Sequence, residues 1–176
     1  MKLAICLLAV AFLMSSGFVV RAGDNAPSVT KRATERDTMS EQTMIALFDR
    51  WERVWNQGQF DLVPSCVGDH YIRHDESGDR TVTREAYAAE IAKVQQERPG
   101  IRVIVYDHSF EGNRAWFRFA FKWNDPKTGE ALSRAGMQSY RTQQGRLVET
   151  WLSMQPLGST WPDAPQEHWT SPPWVP

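Results

Sequence analysis

Cysteine is nearly absent from this chain, since Cys6 and Cys66 are the only two among 176 residues. Cys6 lies in an apolar N-terminal segment that we expect to be removed, which would leave Cys66 alone. A single thiol cannot form an intramolecular disulfide, so the fold must rest on its hydrophobic core. We expect Cys66 to be buried and inert, because a reactive thiol needs a basic neighbour and only His70 is near in sequence.

An excess of basic residues is also absent. The chain has 20 Lys and Arg against 21 Asp and Glu, and removal of residues 1–22 would take away two basic side chains and no acidic one. The net charge would then be near −3, and no segment carries the basic stripe that nucleic acid phosphates require. Three motifs are missing as well: a phosphate-cradling glycine loop, a G-x-S-x-G elbow and paired-cysteine metal spacing.

The first 22 residues form a predicted secretory signal. Lys2 is a short basic region, LAICLLAVAFLM is an apolar run, and VVRA places small or aliphatic residues before Gly23. The apolar run is shorter than a membrane-spanning helix requires. We therefore expect a secreted or periplasmic protein with no membrane attachment after cleavage; an uncleaved anchor is the alternative.

Two segments flank the predicted domain, which we place at residues 38–155. Residues 23–37 are polar and aperiodic, as in a linker. Residues 156–176 form a tail rich in proline, which excludes a helix or a central strand. Because the tail also contains three tryptophans, we expect it to pack against the domain or a partner subunit, with Trp161 substantially buried. A free tail held for another exported partner is the alternative.

Two long helices are predicted. The first covers residues 38–57, where Thr38 begins a capping-box sequence and Gly58 is the expected C-cap. The second covers residues 83–97, with Thr83 as its cap. Apolar residues recur at helical spacing in the first helix: Met44, Leu47, Phe48, Trp51 and Trp55.

From residue 101 the apolar period becomes that of strands. The segments IRVIVYDHSF, RAWFRFAFKW, LSRAGMQSYRTQ and RLVETWLSM alternate in polarity and are joined by short turns. In the second of them, Phe117 and Phe119 share one face and Arg118 lies on the other. A further short strand is expected near residues 70–74. Helices followed by an antiparallel meander predict an α+β domain.

Four motifs occur here in an order found in one known family: WNQGQFD, DHYIRHD, TREAYAAEI and GRLVETW. On these motifs the chain resembles the SnoaL-like polyketide cyclases of the NTF2-like superfamily, over roughly residues 40 to 155. The resemblance implies an NTF2-like cone, in which a curved antiparallel sheet wraps around the N-terminal helices and leaves an apolar pocket. It also implies a possible homodimer through the outer sheet face.

The same resemblance implies a pocket for a small, largely apolar molecule. One function class is cofactor-free acid/base chemistry, of the cyclase or isomerase type, on an apolar carbonyl compound. The other is a non-catalytic ligand-binding or association module, which acts through the pocket, the sheet or the tail. The superfamily contains both classes, so the fold alone does not choose between them.

His74 and Asp75 are the candidate catalytic residues that the resemblance implies. Asp75 falls where ketosteroid isomerases keep a proton-abstracting aspartate, and His74 is the histidine of the family's Tyr-x-x-His pattern. Either could move a proton beside a carbonyl if burial shifted its pKa toward neutrality. The alternative is that both only bridge the loop before the second helix, with Arg73, Arg80 or Arg84 as ion partners.

The candidate substrate-binding residues are Trp51, Trp55, Phe117, Phe119, Gln138 and Thr150. Trp51 and Gln138 fall where the isomerases place a tyrosine and a protonated aspartate that bind an oxyanion. Neither replacement is acidic, which speaks against isomerase activity. The aromatic residues have an alternative role as core.

The last predicted strand leaves one question open. Val148, Thr150 and Leu152 form one face; Glu149, Trp151 and Ser153 form the other. If the second set faced the pocket, Glu149 would be an acid/base candidate. The alternation of side chains along the strand does not tell which set faces the pocket.

A metal site at His70-x-x-x-His74 is disfavoured, and we expect none. In a strand, four residues span about 13 Å, too far for one ion with nitrogen bonds of about 2.1 Å.

Overall fold

The structure, a computed structural model, describes residues 39–166. The predicted signal and linker, Thr38, and residues 167–176 of the tail with Trp169 and Trp174 lie outside this range. Within it the chain forms, in order, α1 (Glu41–Gln57), a 3-10 turn (Phe60–Leu62), α2 (Val63–Cys66), β1 (Val67–Asp75), β2 (Gly78–Thr83), α3 (Arg84–Glu97), β3 (Arg102–Glu111), β4 (Arg114–Asn124), β5 (Ala131–Gln143) and β6 (Arg146–Met154).

The two long helices end close to their predicted bounds. The N-cap of α1 is Ser40 and not the expected Thr38, because the Ser40 hydroxyl oxygen accepts the backbone N–H of Thr43 at 3.2 Å and the helix begins at Glu41. At the other end Gly58 adopts φ 66°, the left-handed conformation that glycine tolerates best, and confirms the predicted C-cap. Thr83 caps α3 as expected, accepting the Ala86 N–H at 3.2 Å. No helix among residues 39–166 is long and apolar enough to cross a membrane.

The six strands described form one sheet in the order β2-β1-β6-β5-β4-β3. β3 to β6 are an antiparallel meander, as predicted, but β1 pairs in parallel with β6. The expected short strand is longer than residues 70–74 and has an antiparallel partner, β2, that was not predicted. Helices packed on one side of this curved, unclosed sheet confirm the α+β cone.

The helices pack on one face of the sheet, here called the inner face. In β4 the inner face carries Phe117 and Phe119, whereas Trp116 and Arg118 alternate onto the outer face. Because α1 presents an apolar stripe to the inner face, helix and sheet bury one continuous core. Cys66 belongs to this core and is fully buried, and burial raises the pKa of its thiol.

The described part of the tail, residues 156–166, lies against the sheet. Trp161 is half-buried, donates its indole N–H to the Phe119 carbonyl at 2.8 Å, and stacks under the Arg118 guanidinium. Arg118 also forms a bidentate ion pair with Asp163 at 2.8 and 2.6 Å. The segment reaches edge strand β3, where Gln166 contacts His108 at 2.7 Å.

Candidate functional site: an aromatic cavity inside the cone

A cavity of about 350 Å³ lies between the helices and the inner face of the sheet. Residues about one helical turn apart in α1, and alternate residues in β4, direct aromatic side chains into this cavity. The aromatic lining consists of Phe48, Trp51, Trp55, Tyr87, Phe117, Phe119, Phe121, Trp123 and Tyr140. A wall of this composition favours an apolar ligand with flat surfaces.

The aromatic side chains hold one another in place. Trp51 and Trp55, one helical turn apart, meet edge to face with ring centroids 6.3 Å apart. Trp55 packs on Phe121 at 5.4 Å, and Phe119 meets Phe121 at 5.2 Å. The wall is therefore continuous from α1 to β4, and its shape is set by packing before a ligand enters.

Five of the six predicted substrate-binding residues line this cavity: Trp51, Trp55, Phe117, Phe119 and Gln138. The sixth, Thr150, is fully buried on β6 directly behind Gln138. Most of these side chains also belong to the core or pack against it, so the core role and the predicted binding role do not exclude each other.

Two polar side chains of β5 interrupt the aromatic wall. The Tyr140 hydroxyl accepts the indole N–H of Trp51 at 3.3 Å, and burial raises the pKa of this phenol, which keeps it protonated at neutral pH. Gln138 donates its amide N–H to the Thr150 hydroxyl at 2.8 Å. Both groups are uncharged hydrogen-bonding groups.

Arg73 brings a positive charge to the cavity wall. Its guanidinium stacks on the Tyr87 ring, 4.4 Å from the centroid, and donates to the Tyr87 hydroxyl. It also donates two N–H groups to one Asp75 oxygen, at 3.0 and 2.9 Å. Arg80 adds a third contact to that oxygen at 3.3 Å.

Asp75 is therefore held as a counterion. Burial raises its pKa, but the Ser77 backbone N–H and the two guanidinium groups outweigh burial and bring the pKa below its usual value. It does not line the cavity, and its link to the cavity runs through Arg73. A carboxylate with a lowered pKa is a weak base. This is the arrangement that the ion-pair interpretation predicts.

His74 lies on the outer face, because neighbouring residues of a strand point in opposite directions and Arg73 points inward. Its ring stacks on Trp151 at 5.0 Å, with one nitrogen 2.8 Å from Asp79 and the other 3.0 Å from Glu149. Hydrogen bonds to Glu149 and then Asp79 raise its pKa. The sheet separates this ring from the cavity.

The last strand directs Thr150 and Leu152 inward and Glu149 outward. A bulge at Val148 removes that residue from the alternation, since Leu147 pairs with Thr142 and Glu149 with Arg141. The cavity thus receives no carboxylate from this strand.

Charged groups also occur at the cavity wall near its mouth. Arg134 pairs there with Glu76, and Arg98 lies over the Trp123 ring, 5.1 Å from its centroid. Among residues 39–166, no three His, Cys, Asp or Glu side chains are placed to hold a metal ion.

Sequence reasoning missed Arg73, Tyr87 and Tyr140 as cavity residues. Tyr140 was within reach, because it shares a face with Gln138 two residues before it. Arg73 was not, because Tyr71 and Ile72 are both apolar and either could have marked the buried face of β1.

Comparison with known proteins agrees with this geometry. Residues 48–150 match the SnoaL-like domain family. The chain belongs to that family. No curated protein sequence matches it. The solved structures similar to it share the fold at low sequence identity.

Three of these structures illustrate the range of the SnoaL-like fold. A SnoaL-like polyketide cyclase from Agrobacterium tumefaciens is 17% identical, with TM-score 0.56 over 66% of this chain and 93% of its own. TsrD from Streptomyces laurentii is 17% identical, with TM-score 0.58 over 66% and 90%. An LEH-like epoxide hydrolase from M. tuberculosis is 13% identical, with TM-score 0.54 over 65% and 84%.

Proposed function

We propose that this protein binds one small, largely apolar molecule in the aromatic cavity. The observation that carries the proposal is the cavity itself, a partly open space of about 350 Å³ whose wall is mainly aromatic and includes a smaller number of polar and charged side chains. An aromatic ring system bound there would bury most of its apolar surface. Each Å² of apolar surface removed from water stabilises the complex by about 25 cal/mol. Family membership adds support, because SnoaL-like folds form pockets for small molecules.

Cofactor-independent acid/base chemistry on a carbonyl compound is the second candidate, with His74 and Asp75 as its predicted groups. One observation favours it: Asp75 contacts Arg73, a cation at the cavity wall that could stabilise negative charge on a carbonyl oxygen. Binding is better supported, because the Asp75 carboxylate is saturated by guanidinium contacts and His74 lies across the sheet. Turnover that is lost in Asp75→Asn, with folding intact, would establish the catalytic candidate.

We also propose that binding takes place outside the cytoplasm. The support is the sequence of residues 1–22, which has the three regions of a cleavable signal. Intact mass of the protein from its own source should correspond to a chain that begins at Gly23.

The binding proposal is tested by equilibrium dialysis with 2-methylnaphthalene, a flat apolar probe. A ligand of this size in a good pocket is expected to bind with Kd of about 1–100 µM. Val105→Trp places a large side chain in the cavity and should weaken binding at least about tenfold. Ser153→Trp, which adds the same side chain to an exposed outer position, is the matched control and should bind as the unmodified protein does. Equal affinities in both variants, or no binding by the unmodified chain, would contradict the proposal.

A further inference from the structure

Gln138 and Tyr140 form the uncharged polar part of the cavity wall. They lie two residues apart on the inner face of β5, only 9% and 5% exposed. Buried polar atoms normally have at least one hydrogen-bond partner. In the described part of the chain the Gln138 carbonyl oxygen has none, and the Tyr140 hydroxyl has only the N–H of Trp51.

The orientation of the Gln138 amide follows from its neighbour. The Thr150 hydroxyl donates its only proton to the Ser139 carbonyl at 3.0 Å, so its oxygen can only accept from Gln138. The Gln138 nitrogen must therefore face Thr150. The carbonyl oxygen of the amide is left as an acceptor, without a partner among residues 39–166.

Tyr140 offers the opposite character. Its oxygen accepts from Trp51, so the phenol proton remains available. Trp51 is its only hydrogen-bond partner in the described part of the chain. The cavity wall thus presents a donor at Tyr140 and an acceptor at Gln138.

We propose that the ligand carries a neutral hydroxyl group, which donates to Gln138, and an oxygen acceptor that receives the Tyr140 proton. Residues two apart in a strand are about 7 Å apart. Over that distance a single phenol or alcohol oxygen can contact both side chains, and so can the two oxygens of a hydroxy-ketone. This inference rests on the proposed function and names its ligand class.

The Gln138 carbonyl oxygen disfavours an anion in direct contact with it. A carboxylate or oxyanion has no proton to give to that oxygen, so the two would repel each other in a low-dielectric site, whereas a hydroxyl would donate. Gln138 is accordingly a specificity-determining residue for a hydroxyl.

The test compares two pairs of probes by equilibrium dialysis. 2-Naphthol is compared with 2-methylnaphthalene, which has the same shape without the oxygen. 2-Methoxynaphthalene, which accepts but cannot donate, is compared with 2-ethylnaphthalene. The first affinity ratio is that of 2-naphthol over 2-methylnaphthalene, and the second is that of 2-methoxynaphthalene over 2-ethylnaphthalene. On the unmodified protein we expect the first ratio to be about fivefold larger than the second. This arm needs no variant, so it does not depend on how a substitution affects folding.

Two variants assign the effect to residues. Gln138→Met keeps the length of the side chain and should abolish the extra gain of 2-naphthol. Tyr140→Phe should weaken each oxygen-bearing probe relative to its own hydrocarbon partner, so that the comparison within each pair removes any general effect on the cavity.

The outcomes separate this inference from the proposed function. If the hydrocarbons bind but the hydroxyl gains no more than the methoxy group, the hydroxyl proposal is overturned and the binding proposal stands. If the extra gain survives Gln138→Met, the assignment to Gln138 is overturned. If no probe binds, the proposed function fails and the inference fails with it.

Discussion

The Arg73 guanidinium donates two N–H groups to a single oxygen of Asp75, at 3.0 and 2.9 Å, in a region where both side chains are 8% exposed. This contact places a compensated cation, rather than a free carboxylate, at the cavity wall. It also explains why two neighbouring polar residues of β1 have different surroundings. Arg73 points to the cavity and needs a counterion, while His74 points to the outer face.

Removing the carboxylate should destabilise the fold. Asp75→Ala leaves Arg73 buried without its counterion, which typically costs about 3–5 kcal/mol. Urea unfolding measures the change in the free energy of unfolding. Asp79→Ala, whose side chain is largely exposed, is the control and should change it by less than about 0.5 kcal/mol. Equal effects from the two substitutions would show that Asp75 is not a structural counterion.

The protonation of His74 should depend on Glu149. Hydrogen bonds that the His74 ring donates to Glu149 and Asp79 raise its pKa. Stabilisation by His74 is therefore fully present below the unfolded pKa of about 6.5 and is lost as pH rises through the higher folded pKa. The expected melting temperature therefore falls over that window. NMR titration of the ring should give a pKa above 6.5 that moves down in Glu149→Gln. A pKa that the substitution leaves unchanged would contradict this assignment.

The described tail should contribute to stability. Truncation after Gln155 removes the Trp161 contacts with β4, and we expect the melting temperature to fall by at least about 4 °C relative to the full chain. Truncation after Gln166 retains those contacts and separates their effect from that of residues 167–176. If the two truncated chains have the same melting temperature, residues 156–166 do not contribute to stability.

The outer face offers a surface for the possible homodimer that the family resemblance implies. Met137 and Trp151 are 41% and 37% exposed and line the same shallow groove on that face. We expect size-exclusion chromatography with light scattering to give the mass of a dimer, and Met137→Glu to give a monomer because it puts a charge in the contact. A monomeric mass for the unmodified chain would rule out this surface as a stable interface.

The fold was predictable because its signals are local and repeated. Gly58 marks a helix end by its left-handed backbone and Thr83 by its capping hydroxyl. In β4, Phe117, Phe119, Phe121 and Trp123 recur at every second residue. β2 was missed because Gly78–Thr83 is short, polar and largely exposed, so it has no apolar alternation. Its pairing with β1 is made by backbone hydrogen bonds that no side-chain pattern reports.

The candidate site was predictable only in part. Trp51, Trp55, Phe117 and Phe119 follow from periodicity within single elements. The face of β1 does not, because Tyr71 and Ile72 give no preference between Arg73 and His74. The bulge at Val148 likewise shifts one strand by a single residue, which depends on its partner β5 rather than on its own sequence.

The most direct measurement of the central claim uses the tryptophan side chains as reporters. Trp51, Trp55 and Trp123 line the cavity, whereas Trp116 and Trp151 lie on the outer face. In ¹H–¹⁵N spectra each indole N–H gives its own signal, and titration with 2-methylnaphthalene should shift the three cavity signals together. The two outer signals should stay in place. Shifts confined to Trp116 and Trp151, or no shift at any indole, would contradict binding inside the cone.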